Sequence, residues 1–405
     1  MTRTGPSGAL LILVATGIAG GTAYLLMPVV AANLGAVSYA AFAVFWSGLY
    51  LAISGLSGIQ QEITRAVRPR SGPSPAAAKS VSRNFGALAA LAVLLVTCAS
   101  APLWISAVFP SDGWALVIPL AVGLVGYVIV AVVSGVLYGL RVWRFIAVMV
   151  VGDGLLRVIL VLTVLSFTHD LALIAWAVVA PFLIMPLAIW PFVRARLVAK
   201  FELDVGYRSL SWNVARTVAG SAATGVLVSG FPLLLGATSG SDSPESVGAL
   251  VLAITLTRAP IVIAVLSLQS YLVMSFRSQV GSLRWSIARL LFLIAAGTAL
   301  LAVLAYWLGT GILATVAGAE FALAGSLLAA LVGSAGLVAA LCVTGPALLS
   351  RARHMFFTTG WLVAAAVTIL LLLIPGDLEA RAVMALSIGP ACGLAVHFLG
   401  LVRRP

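Results

Sequence analysis

The chain has 405 residues, of which 62% are hydrophobic and only 8% are charged, and its mean hydropathy is +1.18. A composition this apolar excludes a soluble globular protein and indicates a membrane protein that crosses the bilayer many times. The net charge of +12 does not indicate nucleic-acid binding, because the basic residues lie in short loops and form no basic face with interleaved aromatic side chains.

The first two predicted spans cover residues 8–33 and 39–64. A basic residue before the first apolar run imitates a secretory signal peptide, but the run is too long for one and similar segments follow it. Gly17 and Gly21 form a GxxxG pattern, which predicts close packing of another helix. The second span ends in Gln61 and Glu62, which are candidates for lining the inner mouth of a transport path or for an interfacial position.

Spans three to six are predicted at residues 84–109, 113–140, 145–167 and 171–192. Span five contains Asp153 and Arg157, and their four-residue spacing places both on one helical face in the order that favours an ion pair. Two hypotheses stay open for the pair: a salt bridge that locks the span, or a role in transport. In the second, Arg157 binds substrate and Asp153 couples transport to an ion.

The second half of the chain contains six more predicted spans, at residues 212–237, 247–276, 283–308, 321–350, 355–374 and 381–401. Arg216 lies one turn into the first of these spans, where it can either extend to the cytoplasmic interface or meet substrate. Segment 309–320 is apolar enough to form an interfacial or re-entrant segment, and the sequence leaves this open. The predicted total is twelve spans.

Arg258 lies near the middle of predicted span eight, about 17 Å along the helix from Val247. An arginine facing lipid at this depth is costly, so its guanidinium is predicted to face a protein partner or a watery cavity. Pro260 removes a helical hydrogen bond to the carbonyl of Leu256 and is expected to bend or open the helix beside Arg258.

Most of the 23 lysines and arginines fall in loops on one side of the predicted layout. The positive-inside rule therefore predicts that this side, with both termini, faces the cytoplasm. No metal site is predicted, because the cysteines and histidines show no ligand spacing. These residues are Cys98, Cys342, Cys392, His169, His354 and His397.

The two halves of the sequence resemble each other. Pro28 in MPVVAANLG corresponds to Pro232 in FPLLLGATSG, and Gln61 corresponds to Gln269, with a similar displacement along the chain. This pattern predicts an all-α fold of two parallel-repeat, six-helix bundles around a central cavity, with substrate bound between the halves near the midplane. Pro28 and Pro232 are further candidates for opening helices, and Gln269 for the inner mouth. The predicted domains are a first bundle at 8–192, a cytoplasmic connecting loop at 193–211 and a second bundle at 212–402.

Four segments carry a family resemblance: ANLGAVSYAAFAVFWSGLYLAISGLSG (Ala32–Gly58), GVLYGLRVWRFIAVMVVGDGLLRVILVL (Gly135–Leu162), LTRAP (Leu256–Pro260) and GAEF (Gly318–Phe321). Together they resemble polysaccharide flippases of the Wzx type, in the multidrug/oligosaccharidyl-lipid/polysaccharide (MOP) exporter superfamily. The resemblance implies a multi-pass protein of the bacterial cell membrane that moves polyprenyl-pyrophosphate-linked sugars to the outer leaflet by alternating access. Glycosyltransferases or a polysaccharide polymerase are then the expected partners. This chain has few acids within its spans, so coupling to protons, sodium or membrane potential stays open.

Such a substrate fits the buried arginines, because a pyrophosphate needs positive, fork-shaped hydrogen-bond donors. The candidates are Arg258, Arg157 and Arg216. One alternative is an ion-coupled exporter of small amphipathic molecules from the same superfamily. Another is a polytopic glycosyltransferase. Such enzymes resemble one another in an early outer-loop carboxylate and a sizeable soluble portion. Here the first outer loop, 33–38, has no acid, and no loop is long enough for a domain. We therefore predict a transporter that is not an enzyme and needs no cofactor.

Overall fold

A computed structural model describes residues 7–69, 76–109, 113–199, 201–203, 206–240, 242–258, 272, 276, 283–351 and 353–402. Within these residues the chain is almost entirely helical. Nine of the described helices are long and apolar enough to cross a membrane. The helices are α1 (Ser7–Ala66), α2 (Ala76–Val108), α3 (Gly113–Gly139), α4 (Trp143–Leu165), α5 (Leu171–Ala199), α6 (Tyr207–Val228), α7 (Phe231–Thr238), α8 (244–258), α9 (Leu283–Ala317), α10 (Gly325–Ser350), α11 (His354–Leu372) and α12 (Leu378–Val402).

The first helix covers both of the first two predicted spans. It contains 60 residues, about 90 Å at helical rise, or far more than one hydrocarbon core needs. The predicted outer loop at 33–38 is reduced to one non-helical residue, Gly35, with φ 72° and ψ 166°. A side chain at this position would be strained because only glycine adopts such a conformation freely. The backbone N–H of Ala36 donates to Glu320 Oε1 at 3.1 Å, which caps the helical segment that follows.

Two boundaries in the second half differ from the predicted spans. Predicted span seven is interrupted at Ser229 and Gly230, which separate α6 from α7. Helix α9 continues to Ala317, so most of segment 309–320, whose arrangement the sequence left open, extends the preceding helix. A short 3₁₀ turn, Ala319–Phe321, then leads to α10. The predicted eighth span is described only as far as Arg258, apart from two isolated residues further on.

A short antiparallel ribbon was not predicted. Strand β1 (Val67–Pro69) pairs with β2 (Phe201–Leu203), and Val67 lies opposite Leu203. The two strands join the segment after α1 to the segment after α5. Three residues are too few to show the alternation that identifies a strand, and the pairing partners lie far apart in sequence. Val67 is buried in the core that α1, α2 and α3 share.

Contacts within the chain divide it into two units. Unit 1 comprises Met1–Leu26 and Phe45–Gly225, and unit 2 comprises Met27–Val44 and Val226–Pro405. The core of unit 1 includes apolar clusters around Ile63 and Ile146. The core of unit 2 includes clusters around Leu341 and Val343.

Helices in unit 1 approach closely at glycines, but the predicted GxxxG pair is not one of the contacts. A Cβ built on Gly135 of α3 would lie 2.8 Å from Ile63 Cβ on α1, whereas Gly17 and Gly21 have nothing within 4 Å among the described residues. The same part of α1 instead meets α4 through its next face, where a Cβ on Gly154 would lie 3.1 Å from Ala19 Cα. The prediction that α1 makes a close contact through small residues was right, but the face of α1 that makes it is not the one with Gly17 and Gly21.

Candidate functional site

The predicted ion pair of α4 is present in unit 1. Arg157 Nη2 lies 2.8 Å from each carboxylate oxygen of Asp153, one helical turn earlier. Arg157 Nε donates to the carbonyl of Val178 on α5 at 2.9 Å. The four-residue spacing forms the pair, and the packing of α5 against α4 supplies the carbonyl.

Aromatic rings complete the surroundings of Arg157. Its Cζ lies 4.8 Å from the centre of the Phe182 ring and 5.9 Å from that of Tyr50. The arginine side chain is 4% exposed and that of Asp153 is 23% exposed. The guanidinium is therefore enclosed by an acid, a carbonyl and two rings, each of which favours its charge. The carboxylate of Asp153 remains partly exposed at the surface of the unit.

Arg258 in unit 2 has much poorer partners. Its side chain is buried, with Nη2 3.4 Å from the carbonyl of Leu227 and Cζ 6.0 Å from the centre of the Phe231 ring. Its Nε has no hydrogen-bond partner in the described part of the chain, and no described carboxylate forms an ion pair with it. The arginine faces protein, as predicted, but the described residues do not satisfy all of its hydrogen-bond donors. Pro260 and Gln269 lie outside the described residues, so their predicted roles stay predictions.

Glu62 and Gln61 connect the end of α1 to the middle of α6 within unit 1. Glu62 Oε1 accepts a hydrogen bond from Thr217 Oγ1 at 2.8 Å, and Oε2 forms an ion pair with Arg65 at 2.8 Å. Gln61 Nε2 lies 3.3 Å from Ser221 Oγ. These polar side chains form one cluster at the predicted inner end of the unit. Their role in lining the inner mouth stays a prediction.

The remaining predicted site residues lie apart from these clusters. Arg216 on α6 has an exposed side chain. Helix α1 is continuous through Pro28, and its interruption comes seven residues later, at Gly35. Pro232 lies in the first turn of α7, directly after the break at Ser229 and Gly230, where proline starts a helix without losing a bond.

Sequence analysis missed one long-range ion pair. Arg381 Nη2 lies 2.8 Å from Asp242 Oδ2, and Nη1 donates to the carbonyl of Thr238 at 3.1 Å. These contacts join the start of α12 to the segment between α7 and α8. The only signal was that Arg381 is a basic residue on the predicted outer side, where basic residues are rare.

Sequence comparison finds similar proteins in mycobacteria. Rv1510 of Mycobacterium tuberculosis, described as an "Uncharacterized protein", is 32% identical over 396 residues, which cover 96% of this chain and 90% of that protein. Mb3654 of Mycobacterium bovis, described in the same way, is 29% identical over 391 residues, with the same coverage of both chains. No protein-family model matches the sequence.

Solved structures of transporters share the fold. An inward-facing multidrug resistance MATE family transporter of the MOP superfamily superposes with a TM-score of 0.70 at 14% identity, covering 96% of this chain and 94% of that one. The eukaryotic MATE transporter AtDTX14 gives a TM-score of 0.60 at 12% identity and covers 98% and 96% of the two chains. The predicted all-α, multi-pass fold with two helical repeats is confirmed. The chain belongs to the same protein family as the mycobacterial protein Rv1510, and its fold is that of the MATE transporters.

Proposed function

We propose that this chain is a secondary transporter that moves small amphipathic molecules across the membrane by alternating access, driven by an ion gradient. The observation that carries the proposal is the likeness to MATE transporters over almost the whole chain. Solved MATE structures with this fold include inward-facing, outward-facing and bent forms. A fold that serves those conformations suits a protein that opens to each side of the membrane in turn.

Asp153 is the proposed coupling residue. It lies ten residues into α4, about 15 Å along the helix, and is the one acidic residue well inside a described span. Its carboxylate forms an ion pair, yet it is partly accessible. Binding of a proton or a metal cation to the carboxylate weakens its attraction to Arg157, so ion binding and local structure are coupled.

The test is transport by purified protein in liposomes with an imposed proton or sodium gradient. Ethidium serves as the amphipathic probe, and its movement should require one of the two gradients. Asp153→Asn should abolish the gradient dependence because the amide cannot exchange charge. Gradient-driven movement at the wild-type rate in a folded Asp153→Asn protein would remove Asp153 from the coupling mechanism.

Asp170→Asn is the matched control. Asp170 lies just before α5, where Oδ1 accepts hydrogen bonds from the backbone N–H groups of Ala172 and Leu173. An asparagine oxygen can accept the same bonds, so this exchange removes a carboxylate and keeps the helix cap. Transport should continue in this variant.

The second candidate function is transfer of a polyprenyl-(pyro)phosphate-linked sugar to the outer leaflet, as a Wzx-type flippase does. The observation that favours it is Arg258, a buried cation without an acidic partner among the described residues. A phosphate group would supply the missing acceptors. Liposomes that carry a fluorescent polyprenyl-pyrophosphate sugar distinguish the candidates: flipping of this lipid without ethidium transport favours the flippase. In both cases the expected location is the bacterial cell membrane, with both termini cytoplasmic.

A further inference from the structure

His397 is fully buried in unit 2 and is bonded on both ring nitrogens. Nδ1 lies 2.8 Å from Thr344 Oγ1 on α10, and Nε2 lies 3.2 Å from the carbonyl of Phe357 on α11. The ring also stacks on that of Phe357, with 6.3 Å between centroids and 18° between planes. Three helices therefore hold one imidazole in a fixed orientation.

The helices leave room for the ring at Gly360. A Cβ at that position would collide with the imidazole, and a Cβ on Gly393 would lie 2.6 Å from the carbonyl of Gly360. Glycines thus let α11 and α12 approach until the ring fits between them. His397 lies five residues before the end of α12, about 7.5 Å along the helix from the predicted cytoplasmic end.

The hydrogen bonds fix which nitrogen carries the proton when the ring is neutral. The carbonyl of Phe357 can only accept, so Nε2 must donate to it. Nδ1 is then the acceptor, and the Thr344 hydroxyl donates to it. The other neutral tautomer would place a lone pair of Nε2 against the carbonyl oxygen.

The charged ring can be satisfied equally well. Thr344 Oγ1 lies 3.0 Å from the carbonyl of Ala340 and 3.3 Å from that of Leu341, both on its own helix. When Nδ1 takes up a proton it becomes a donor, and the threonine hydroxyl turns to one of these carbonyls and accepts from the ring. Protonation therefore leaves both ring nitrogens hydrogen-bonded, which offsets part of the cost of placing a charge in an apolar core.

Among the described residues, no acid contacts the ring that would keep it protonated at all pH values. On the described helices packed against it, no carboxylate contacts the imidazole, and the one acid on α12, Glu379, lies 18 residues away, about 27 Å along the helix. A cation is nearer, because Arg353 donates to the carbonyl of Gly400, one turn beyond His397. The other charged or titratable residues on these three helices are Cys342 on α10, Arg351 at its end, His354 on α11, and Arg381 and Cys392 on α12.

We infer that His397 is a reversible proton-binding site at the inner end of unit 2, with Thr344 as the rotating partner that serves both protonation states. A histidine is suited to this because its charge changes near physiological pH. The site makes the proton the coupling ion of the second half of the chain, a part of the inference that rests on the proposed transport function.

The test follows the imidazole nitrogens by NMR in protein labelled with ¹⁵N-histidine. Replacing His169 and His354 by glutamine, one at a time, identifies their signals and so that of His397. His397 should show the Nε2–H tautomer at high pH and gain a proton at Nδ1 between about pH 8 and pH 5. Thr344→Val should reduce the protonated fraction at a given acidic pH on the order of tenfold, because the charged ring loses its acceptor. Thr344→Ser keeps the hydroxyl and should titrate as the wild type does.

A ring that keeps one tautomer over this pH range, or that titrates identically in Thr344→Val, overturns the proton site. Transport by His397→Gln is measured separately and should lose its dependence on internal pH while ethidium still moves. An unchanged pH profile in that variant overturns the coupling role alone. Absence of transport in every protein, wild type included, would instead contradict the proposed function and leave the titration result intact.

Discussion

Each unit buries an arginine on one of its helices, and the two arginines have different partners. In unit 1, Arg157 has a carboxylate at 2.8 Å, a carbonyl at 2.9 Å and a ring at 4.8 Å. In unit 2, Arg258 has a carbonyl at 3.4 Å, a ring at 6.0 Å and an Nε without a described partner. Both side chains are at most 6% exposed.

Among the described residues, this difference separates a cation whose donors are occupied, here called structural, from one with fewer partners, here called available. A buried guanidinium whose donors are occupied has little left to offer a ligand, whereas one with spare donors gains most from a ligand that supplies acceptors. We therefore expect substitutions at the first arginine to reduce mainly stability and substitutions at the second to reduce mainly transport.

The largest effect on stability is expected for Asp153→Ala. The substitution leaves Arg157 charged and buried without its acid, a situation that costs about 3 to 5 kcal/mol. The purified variant should unfold at a lower temperature than the wild type and reach the membrane in smaller amounts. Thermal unfolding followed by tryptophan fluorescence measures the first effect and quantitative blotting of membranes the second.

The double variant Asp153→Ala with Arg157→Met is the control for that prediction. It removes both charges, so no buried ion is left unpaired, and it should recover much of the lost stability. If the double variant is as unstable as the single one, the loss comes from packing around α4 and not from an unpaired cation.

The contrast between the arginines also shows what could be predicted from sequence. Asp153 and Arg157 are four residues apart on one helix, so helical geometry alone identifies their pair. Val178, which completes the site, lies on another helix. Arg381 and Asp242 are 139 residues apart, and no local pattern links them. The spans themselves followed from apolar length, because the bilayer fixes how long a helix must be.

Prediction failed where several similar residues could make a contact and only the packing of the folded helices selects between them. Gly17 and Gly21 matched a packing pattern, but the contact with α4 uses Ala19 and Thr22 of the same helix. His397 had no partner at ligand spacing in sequence, yet α10 and α11 bring Thr344 and Phe357 to its ring. In a helix that is apolar on every side, composition does not reveal which face meets a neighbour.

An intermediate effect is expected for Arg381→Ala. This arginine has an acid, Asp242, and the carbonyl of Thr238, while its Nε has no described partner, so it falls between the other two. Asp242 is 28% exposed, and water compensates part of the lost pair. The expected loss is about 1 to 3 kcal/mol, measured by the same thermal unfolding. Asp242→Asn should lose less, because its amide oxygen still accepts from the guanidinium, and a loss as large as that of Asp153→Ala would contradict this ranking.

The smallest effect on stability is expected for Arg258→Met, with a large effect on flipping of a lipid-linked sugar if Arg258 binds its phosphate. Methionine has a similar length and no charge, and the one hydrogen bond that is lost is long, so the cost should stay at about 1 kcal/mol or less. Arg258→Lys keeps the charge without the fork-shaped donors, so it tests geometry apart from charge. If Arg258 binds the phosphate of a lipid-linked sugar, flipping of that lipid should fall in both variants, more in methionine than in lysine, while ethidium transport changes less. If Arg258→Met instead unfolds as readily as Asp153→Ala, the arginine is held by a partner beyond the described residues. The distinction between a structural and an available arginine would then fail.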